Sequence, residues 1–424
     1  MNEIAVPILP EETKERCATR ASGLAYWQHW ALFLGSSLIV ISHRPDAILN
    51  AQFWAEDGTK WYADAHNFGT WNVLFHPYAG YLHTLPRLIA GVAQMLPLAA
   101  APLLFNLVAI FFQVLPVNFF LSSRFAFLAS TRTRLLLSFL YLALPNTSEI
   151  DANITNTQWH LALLLCLVFM ATPAASILWR CFDLAAVALS SLTGPFAIFL
   201  LPLAGVAWGW KRRERWPLIL LATLTTGALV QLITLARTGS AGRVQGSLLA
   251  GPVLFAKILA SQMFVGSVLG RNIMYSRPSC AELITIAGIA ILLYALWKAA
   301  WEVKFFIAFA CLILAVSLAD PMVPAPKWPS LMVAWGFRYW FIPILAFAVA
   351  LVWMAGEGRP RSLRFTAVVL LLLMTTGIAR DWRYRPFANL AFGAYARQYS
   401  SLPNGSKLLI PLNPRGWSMT LAKR

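Results

Sequence analysis

Long apolar stretches alternate with short polar connections over most of the chain, starting at Tyr26. A helix needs about 20 predominantly apolar residues to cross a hydrocarbon core of about 30 Å. Runs that reach or approach this length predict about eleven transmembrane helices, several of them short. These runs occupy residues 26–42, 102–121, 134–145, 159–172, 182–193, 196–210, 217–235, 282–297, 304–319, 339–355 and 364–379.

One further apolar run, Tyr81 to Leu98, is ambiguous because it contains His83, Pro86 and Arg87. The positions of Lys and Arg decide whether it spans, since cytoplasmic connections are enriched in both. If it does not span, the basic connections "KRRER" and "EGRPRSLR" fall on the same side as the basic N-terminal tail. We therefore predict a helix that lies in the outer membrane interface, with His83 and Arg87 facing lipid headgroups.

The resulting fold class is an all-α polytopic membrane protein. The apolar runs and the positions of Lys and Arg predict a cytoplasmic tail at residues 1–25 and a transmembrane domain at 26–380. The long first outer loop, 43–98, carries interfacial helices, and residues 381–424 form an outer C-terminal tail or small cap.

Composition agrees with a membrane protein. Hydrophobic residues make up 59% of the chain and charged residues only 12%, with a mean hydropathy of +0.64, whereas a soluble domain has about 25% charged residues. In a membrane protein, Lys and Arg mark the cytoplasmic connections. We therefore attribute the net charge of +17 to this distribution and expect no nucleic-acid partner. The five cysteines are scattered and predict neither disulfides nor a metal site.

The first candidate site is "AQFWAEDGTKWYADA", which starts the predicted outer loop. It contains the adjacent carboxylates Glu56 and Asp57, which raise one another's pKa, and burial raises it further. Such a group can act as a general base, and the pair can hold a divalent cation such as Mg²⁺ or Mn²⁺. The alternative is a solvated turn between two interfacial segments.

The second candidate site is "PNTSEIDANITNTQWHLAL", where polar residues crowd the start of a predicted span. Polar side chains at that depth are costly unless they face a cavity or one another. The candidates for substrate binding are Glu149, Asp151, Asn156 and His160. The alternative is a solvated loop that makes turns and caps the following helix.

Two more motifs lie at the predicted outer face. In "WGFRYWFIP", Arg338 and Tyr339 enter a span, and Arg338 either binds a substrate phosphate with bidentate hydrogen bonds or extends toward lipid phosphate. In "SLTGPFAIFLLP", Gly194 most simply permits a tight turn, and close approach to a substrate is the alternative.

The order of "WAEDG", "GYLHTLPRL", "NITNTQWHL", "SLTGPF" and "FRYWFIP" along the chain resembles the GT-C superfamily of integral-membrane glycosyltransferases. It is most similar to uncharacterised bacterial members with an "ED" first loop. The resemblance implies inverting transfer of a sugar from a polyprenyl-phosphate donor to a glycan or lipid-linked acceptor on the periplasmic face. It also implies a bacterial inner membrane location, with a cytoplasmic N-terminus and a periplasmic C-terminus.

In this family a first-loop acid takes the proton of the acceptor, which corresponds here to Asp57, with Glu56 as partner or alternate. The "DxD" of some branches is absent, so the base and any metal requirement stay open. Arg338 is the expected phosphate ligand, and the remaining candidates are expected to bind substrate: Tyr339, His83, Arg87, Glu149, Asp151, Asn156 and His160.

The alternative function is a transporter or flippase of lipid-linked sugars without transferase activity. A carrier should place ionisable residues near the middle of the membrane. The predicted spans have few such residues, and the polar motifs gather on one face. This asymmetry favours an enzyme over a carrier, although an inactive assembly subunit is also compatible with the sequence.

Overall fold

The computed structural model describes most of the chain and every candidate site residue named above. Nearly all of the predicted N-terminal tail lies outside the described residues. The described residues are 24–210, 215–238, 251–270, 278–319, 323, 325–333 and 336–424.

Eleven helices coincide with the eleven apolar runs and form a bundle. Neighbours in sequence pack together for most pairs, and most of the residues buried between the helices are apolar. The helices are α1 Tyr26–His43, α2 Ala101–Phe120, α3 Thr131–Leu142, α4 Thr157–Met170, α5 Ile177–Ser191, α6 Phe196–Trp210, α7 Arg215–Thr238, α8 Pro278–Lys298, α9 Trp301–Ala319, α10 Phe337–Ala355 and α11 Arg361–Asp381.

Seven helices in the described parts of the chain are long and apolar enough to cross a membrane, as expected of a multi-pass membrane protein. Three shorter apolar helices fall below that length: Thr84–Ala93, Thr157–Met170 and Phe196–Gly209. The count of eleven spans is therefore not confirmed and stays a prediction. The seven are Leu98–Phe120, Arg215–Thr238, Pro252–Leu269, Ser279–Lys298, Trp301–Ala319, Phe337–Ala355 and Arg361–Asp381.

The helical segment Pro252–Leu269 is one of these seven, although it is not among the eleven apolar runs predicted from the sequence. The Ser261 hydroxyl donates to the Met332 carbonyl (2.6 Å), just before α10 begins. Eight residues on, the Leu269 carbonyl accepts from Arg380 (2.6 Å), at the end of α11. Both contacts lie at one end of the bundle, so the second half of this segment runs along that end.

Aromatic and basic side chains pair at the opposite end of the bundle. The Arg359 guanidinium lies 4.1 Å from the centre of the Trp353 ring, and the Lys298 amine lies 3.8 Å from that of Trp297. Trp beside Lys and Arg is typical of a membrane–water interface. The sidedness of this interface stays a prediction.

The predicted first outer loop contains short helical segments rather than an extended chain. A π-helical turn, Asp57–Tyr62, continues into the α-helix Ala63–Phe68. The helix predicted within Tyr81 to Leu98 is present as Thr84–Ala93, and its exposed face carries Leu88 and Val92, while its location at the interface stays a prediction. The remaining helices of the loop are Asp46–Leu49 and Thr70–Val73.

The C-terminal residues form a helix, Phe392–Ser401, and an antiparallel hairpin of β1, Lys407–Leu412, and β2, Trp417–Ala422. The all-α prediction is therefore wrong for this segment. Alternate residues of the hairpin are buried, among them Ile410 and Leu421, which is the period of a strand with one covered face. The domain limits drawn from the sequence stay a prediction.

The covered face of the hairpin packs against the first loop. The Ala55 amide donates to the Asn413 carbonyl (2.5 Å), and the Thr59 hydroxyl donates to the Ser418 carbonyl (2.9 Å). A Cβ on Gly58 would lie 2.6 Å from a methyl of Leu412. The hairpin thus supports the segment that carries the two adjacent carboxylates.

Candidate functional site

The two adjacent carboxylates face different surroundings. Asp57 is fully buried. Its carboxylate accepts from the Ile154 amide (3.3 Å), the Thr155 amide (2.9 Å) and the Thr155 hydroxyl (2.5 Å). The Trp61 indole also donates to that hydroxyl (2.8 Å). Asp57 therefore ties the first loop to the turn that precedes α4.

Burial raises the pKa of Asp57 from its ordinary 3.8 to about 7. The hydrogen bonds from Thr155 oppose this shift because they favour the charged form, and the charge of Glu56 adds to it. Near neutral pH this carboxyl is therefore only partly ionised.

Glu56 is half-buried, and its carboxylate lies near Arg338, Glu149 and Tyr78. Burial raises the pKa of its carboxyl, while the nearby positive charge of Arg338 and a hydrogen bond with Tyr78 lower it. Burial, followed by the charge of Glu56, raises the pKa of the Tyr78 phenol to about 12. Tyr78 therefore keeps its proton and donates to the Glu56 carboxylate.

Arg338 lies in the first turn of α10, two residues after Gly336, which has the left-handed conformation (φ 71°). Its guanidinium forms an ion pair with Glu149, and its amide donates to the same carboxylate (3.2 Å). The guanidinium also donates to the Tyr339 hydroxyl (3.3 Å). The side chains of Arg338 and Glu149 are 26% and 20% exposed, so a ligand can reach both.

The turn before α4 holds Glu149 in position. Asn156, which is buried, donates from its side-chain amide to the Glu149 carbonyl (2.9 Å) and to the Asn153 side-chain oxygen (3.0 Å). Asn153 donates to the same Glu149 carbonyl (2.7 Å). Asn156 therefore acts on the site through the backbone that carries Glu149.

Asp151 and His160 lie behind this turn and are buried. The Asp151 carboxylate accepts from Gln113 (2.7 Å), and burial raises its pKa to about 6 although Arg44 and Gln113 lower it. The His160 ring lies within hydrogen-bond distance of the Tyr141 hydroxyl (2.9 Å) and a backbone carbonyl (3.2 Å). Both side chains support the turn from within the bundle.

Arg44 is a neighbour of this group that the sequence analysis did not single out. It is buried, donates to the Ser148 carbonyl (3.2 Å) and lies 5.2 Å from the centre of the Trp54 ring and 5.1 Å from that of Phe387. The sequence signal was an Arg directly after the first apolar run. Tyr78 was also missed, because an isolated Tyr in a loop has no distinguishing pattern.

The expectation that His83 and Arg87 face lipid headgroups is wrong. They are 2% and 1% exposed. Arg87 pairs with Asp64 (2.9 Å) and stacks 5.1 Å from the centre of the Trp61 ring, which allows its charge to be buried. His83 packs against the rings of Trp61 and Tyr81, and burial together with the charge of Arg87 lowers its pKa to about 3. It is therefore neutral at physiological pH.

The Gly-Pro turn is an architectural element between motifs. Gly194 has φ +92°, and a Cβ there would lie 2.5 Å from the Gln158 side-chain oxygen. Its amide donates to the Leu82 carbonyl (3.0 Å), and Gln231 of α7 donates to the Gly194 carbonyl (3.1 Å). The motifs "SLTGPF", "GYLHTLPRL" and "NITNTQWHL" therefore meet here.

The predicted residues thus fall into three groups. Glu56, Glu149, Arg338 and Tyr339 lie together with Tyr78 at one partly exposed place. The supporting group behind it consists of Asp57, Asp151, Asn156 and His160, whereas His83 and Arg87 are buried within the first loop. Among the residues that the structure describes, no three His, Cys, Asp or Glu side chains are grouped so as to hold a metal ion.

Comparisons with known proteins give little further information. No family model matches the sequence, and no curated protein matches it. A solved structure of the archaeal oligosaccharyltransferase AglB from Archaeoglobus fulgidus, in complex with an inhibitory peptide and a dolichol-phosphate, is similar at 14% identity and a TM-score of 0.44. The match covers 89% of this chain and 58% of that one. A likeness of this size does not establish a shared fold or function.

Proposed function

We propose that the chain is a membrane glycosyltransferase that moves a sugar from a polyprenyl-phosphate-linked donor to a glycan or lipid-linked acceptor. The observation that carries this proposal is the contact group at one end of the bundle. There, a half-buried carboxylate with a raised pKa, Glu56, lies near the positive charge of Arg338, whose side chain is partly exposed. The order of the five sequence motifs supports the same conclusion.

Glu56 is the general base in this proposal. Its carboxylate takes the proton of an acceptor hydroxyl while that oxygen attacks the anomeric carbon of the donor sugar. The bond from this carbon to the phosphate oxygen breaks, and the phosphate leaves with the electron pair. Tyr78 donates a hydrogen bond that orients the carboxylate, and general base catalysis contributes about 10²- to 10⁴-fold.

Arg338 stabilises the charge that develops on the leaving phosphate. A guanidinium binds phosphate oxygens through paired, charge-assisted hydrogen bonds, and such stabilisation is strongest away from bulk water. In the free protein the Glu149 carboxylate occupies this guanidinium. The donor phosphate therefore competes with Glu149 for Arg338, and Tyr339 keeps one side of the guanidinium in place.

Asp57 is a positioning residue in this proposal rather than the base. Three donors already engage its carboxylate, and no part of it is exposed. The role of base therefore passes to its neighbour, Glu56. No step is assigned to a divalent cation, and a requirement for Mg²⁺ or Mn²⁺ stays a prediction from the sequence.

The alternative, a carrier of lipid-linked sugars, fits the described helices less well. α2 and α4 contain no Asp, Glu, Lys or Arg, and Arg338 in the first turn is the one such residue in α10. These three helices pack behind the site. A carrier that moves a charged headgroup past them needs polar partners along the way.

The test is a transfer assay with a polyprenyl-phosphate sugar and purified protein in detergent. Glu56→Gln keeps the size of the side chain but cannot accept the proton, and we expect a loss of about 10²-fold or more. Glu357→Gln, an exposed residue at the other end of α10, is the matched control and should retain full activity. Full activity of Glu56→Gln would remove this residue from the mechanism. Movement of the lipid-linked sugar across the membrane of proteoliposomes, without transfer of the sugar to an acceptor, would establish the carrier instead.

A further inference from the structure

The C-terminal segment has an unusual charge. Between Trp382 and Arg424 the sequence contains seven Lys and Arg residues and no Asp or Glu. Outer segments of membrane proteins are normally poor in Lys and Arg, and this segment is predicted to lie outside. A concentration of positive charge there calls for a negatively charged partner.

Part of this charge borders a cavity of about 260 Å³ between the first loop and the C-terminal segment. His66 fixes its walls. One ring nitrogen of His66 lies 2.7 Å from the Tyr399 hydroxyl and 3.0 Å from the Ala422 carbonyl. The other lies 3.0 Å from the Gln94 side-chain oxygen. Three separate segments are thus joined at one ring.

Arg397 and Lys423 line this cavity, and none of the described residues that line it is acidic. The Lys423 amine donates to the Ser400 carbonyl (3.2 Å) and lies 5.0 Å from the centre of the Tyr399 ring. These contacts hold the amine at the cavity and leave it further protons to donate. The Arg397 side chain is exposed at the same opening. The cavity therefore suits an anion, and the guanidinium suits one with two oxygens, such as a phosphate.

The same cavity continues into an apolar surface. Leu96 and Pro97 form part of its wall, and Met95 beside them is 84% exposed. Trp71, which is 82% exposed, belongs to the short helix that packs on the interfacial helix at Gly91. Large apolar side chains this exposed mark a surface that contacts lipid or a partner. Met95 lies directly beside the cationic cavity, between the lining residues Gln94 and Leu96.

We propose that this cavity binds the headgroup phosphate of an anionic phospholipid, with the acyl chains against the apolar surface of Met95 and Leu96. The phosphate lies between Arg397 and Lys423. This site is separate from Glu56, since about ten helical residues, or roughly 15 Å, separate Glu56 from His66. It therefore does not depend on the function proposed above, and its role is to fix the first loop and the hairpin against the membrane surface.

The test uses full-length protein in phosphatidylcholine nanodiscs with a minor share of phosphatidylglycerol. Native mass spectrometry counts the phosphatidylglycerol that stays bound. We expect the wild type to retain it in preference to phosphatidylcholine, and Arg397→Gln with Lys423→Gln to retain at least about fivefold less. Arg385→Gln with Arg415→Gln removes the same charge from exposed positions of the same segment and should retain it as the wild type does.

Two further measurements separate the possible ligands. Met95→Gln changes the apolar surface without changing charge, and it should also reduce the retained phosphatidylglycerol. Millimolar inorganic phosphate should not displace the lipid, and displacement would show a free-phosphate site instead. Equal retention by the wild type and the Arg397/Lys423 variant, or equal retention of the two lipids by the wild type, would overturn the proposal. The unfolding temperature in pure phosphatidylcholine controls for folding of each variant.

Discussion

Replacement of Asp57 separates a supporting role from a catalytic one, because the two roles predict different effects on stability. The Asp57→Ala change removes the acceptor of two buried amides and one hydroxyl. Each buried donor left without a partner costs about 1–3 kcal/mol. The expected loss of stability is therefore about 3 kcal/mol or more where the Asp57 carboxyl is protonated.

The loss should shrink as pH rises, and the sign follows from the raised pKa. Unfolded Asp57 loses its proton near pH 3.8, and folded Asp57 loses it near pH 7. Between these values the folded state binds more protons, so the stability of the wild type falls with increasing pH. This linkage removes about 2–3 kcal/mol between pH 5 and pH 8. The Ala variant lacks the carboxyl and therefore lacks this fall.

The measurement is the thermal unfolding midpoint in detergent at pH 5 and pH 8 for wild type, Asp57→Ala and Glu56→Gln. We expect Asp57→Ala to unfold several degrees below the wild type at pH 5 and closer to it at pH 8, while Glu56→Gln stays near the wild type at both. A wild-type midpoint for Asp57→Ala combined with abolished transfer would refute this reasoning. Asp57 would then be the base that the resemblance assigns.

Three other predictions follow from the site and its turn. Arg338→Ala should weaken donor binding by about 10- to 100-fold with little change in the KM of the acceptor, and unchanged donor affinity in a binding titration would contradict the phosphate role. Because Glu56 works deprotonated, the acidic limb of the pH profile of kcat/KM should lie above pH 4.5, the ordinary pKa of a Glu carboxyl. The charge of Glu149 raises the Glu56 pKa, so Glu149→Gln should shift that limb to lower pH. Gly194→Ala should lower stability by about 1–3 kcal/mol, since φ is +92° there. Gly205→Ala is the control and should not lower stability, because nothing lies within 4 Å of the added methyl. Equal unfolding midpoints for the two variants would contradict the close approach of Gln158 to Gly194.

The bundle helices were predictable because a long apolar run is a local property of the sequence. Each of the eleven runs forms a helix. The number of spans is less certain to predict, because some helices, such as Thr157–Met170, are shorter than a membrane crossing requires. The hairpin was harder to predict, because its strands are six residues long and only alternate burial distinguishes them.

The arrangement of the site was less predictable, because the partners of each side chain are distant in sequence. Glu56 and Asp57 are adjacent, yet the environment of Asp57 is set by Thr155, 98 residues away. The charge of Arg87 is buried because Asp64 lies opposite it. No local pattern contains either pairing, so composition and spacing identified the right motifs but not the role of each residue.

The contact between the hairpin and the first loop also has a consequence for the timing of biosynthesis. The loop with Glu56 leaves the ribosome early, but Ser418, whose carbonyl accepts the hydrogen bond of the Thr59 hydroxyl, is translated 359 residues after Thr59. Asn413, the backbone partner of Ala55, is translated just before it. The helices of a nascent chain are therefore made long before the hairpin that supports the segment with Glu56. Truncated translation products would therefore contain the bundle helices without the support of the first loop, which only a chain synthesised through the hairpin gains.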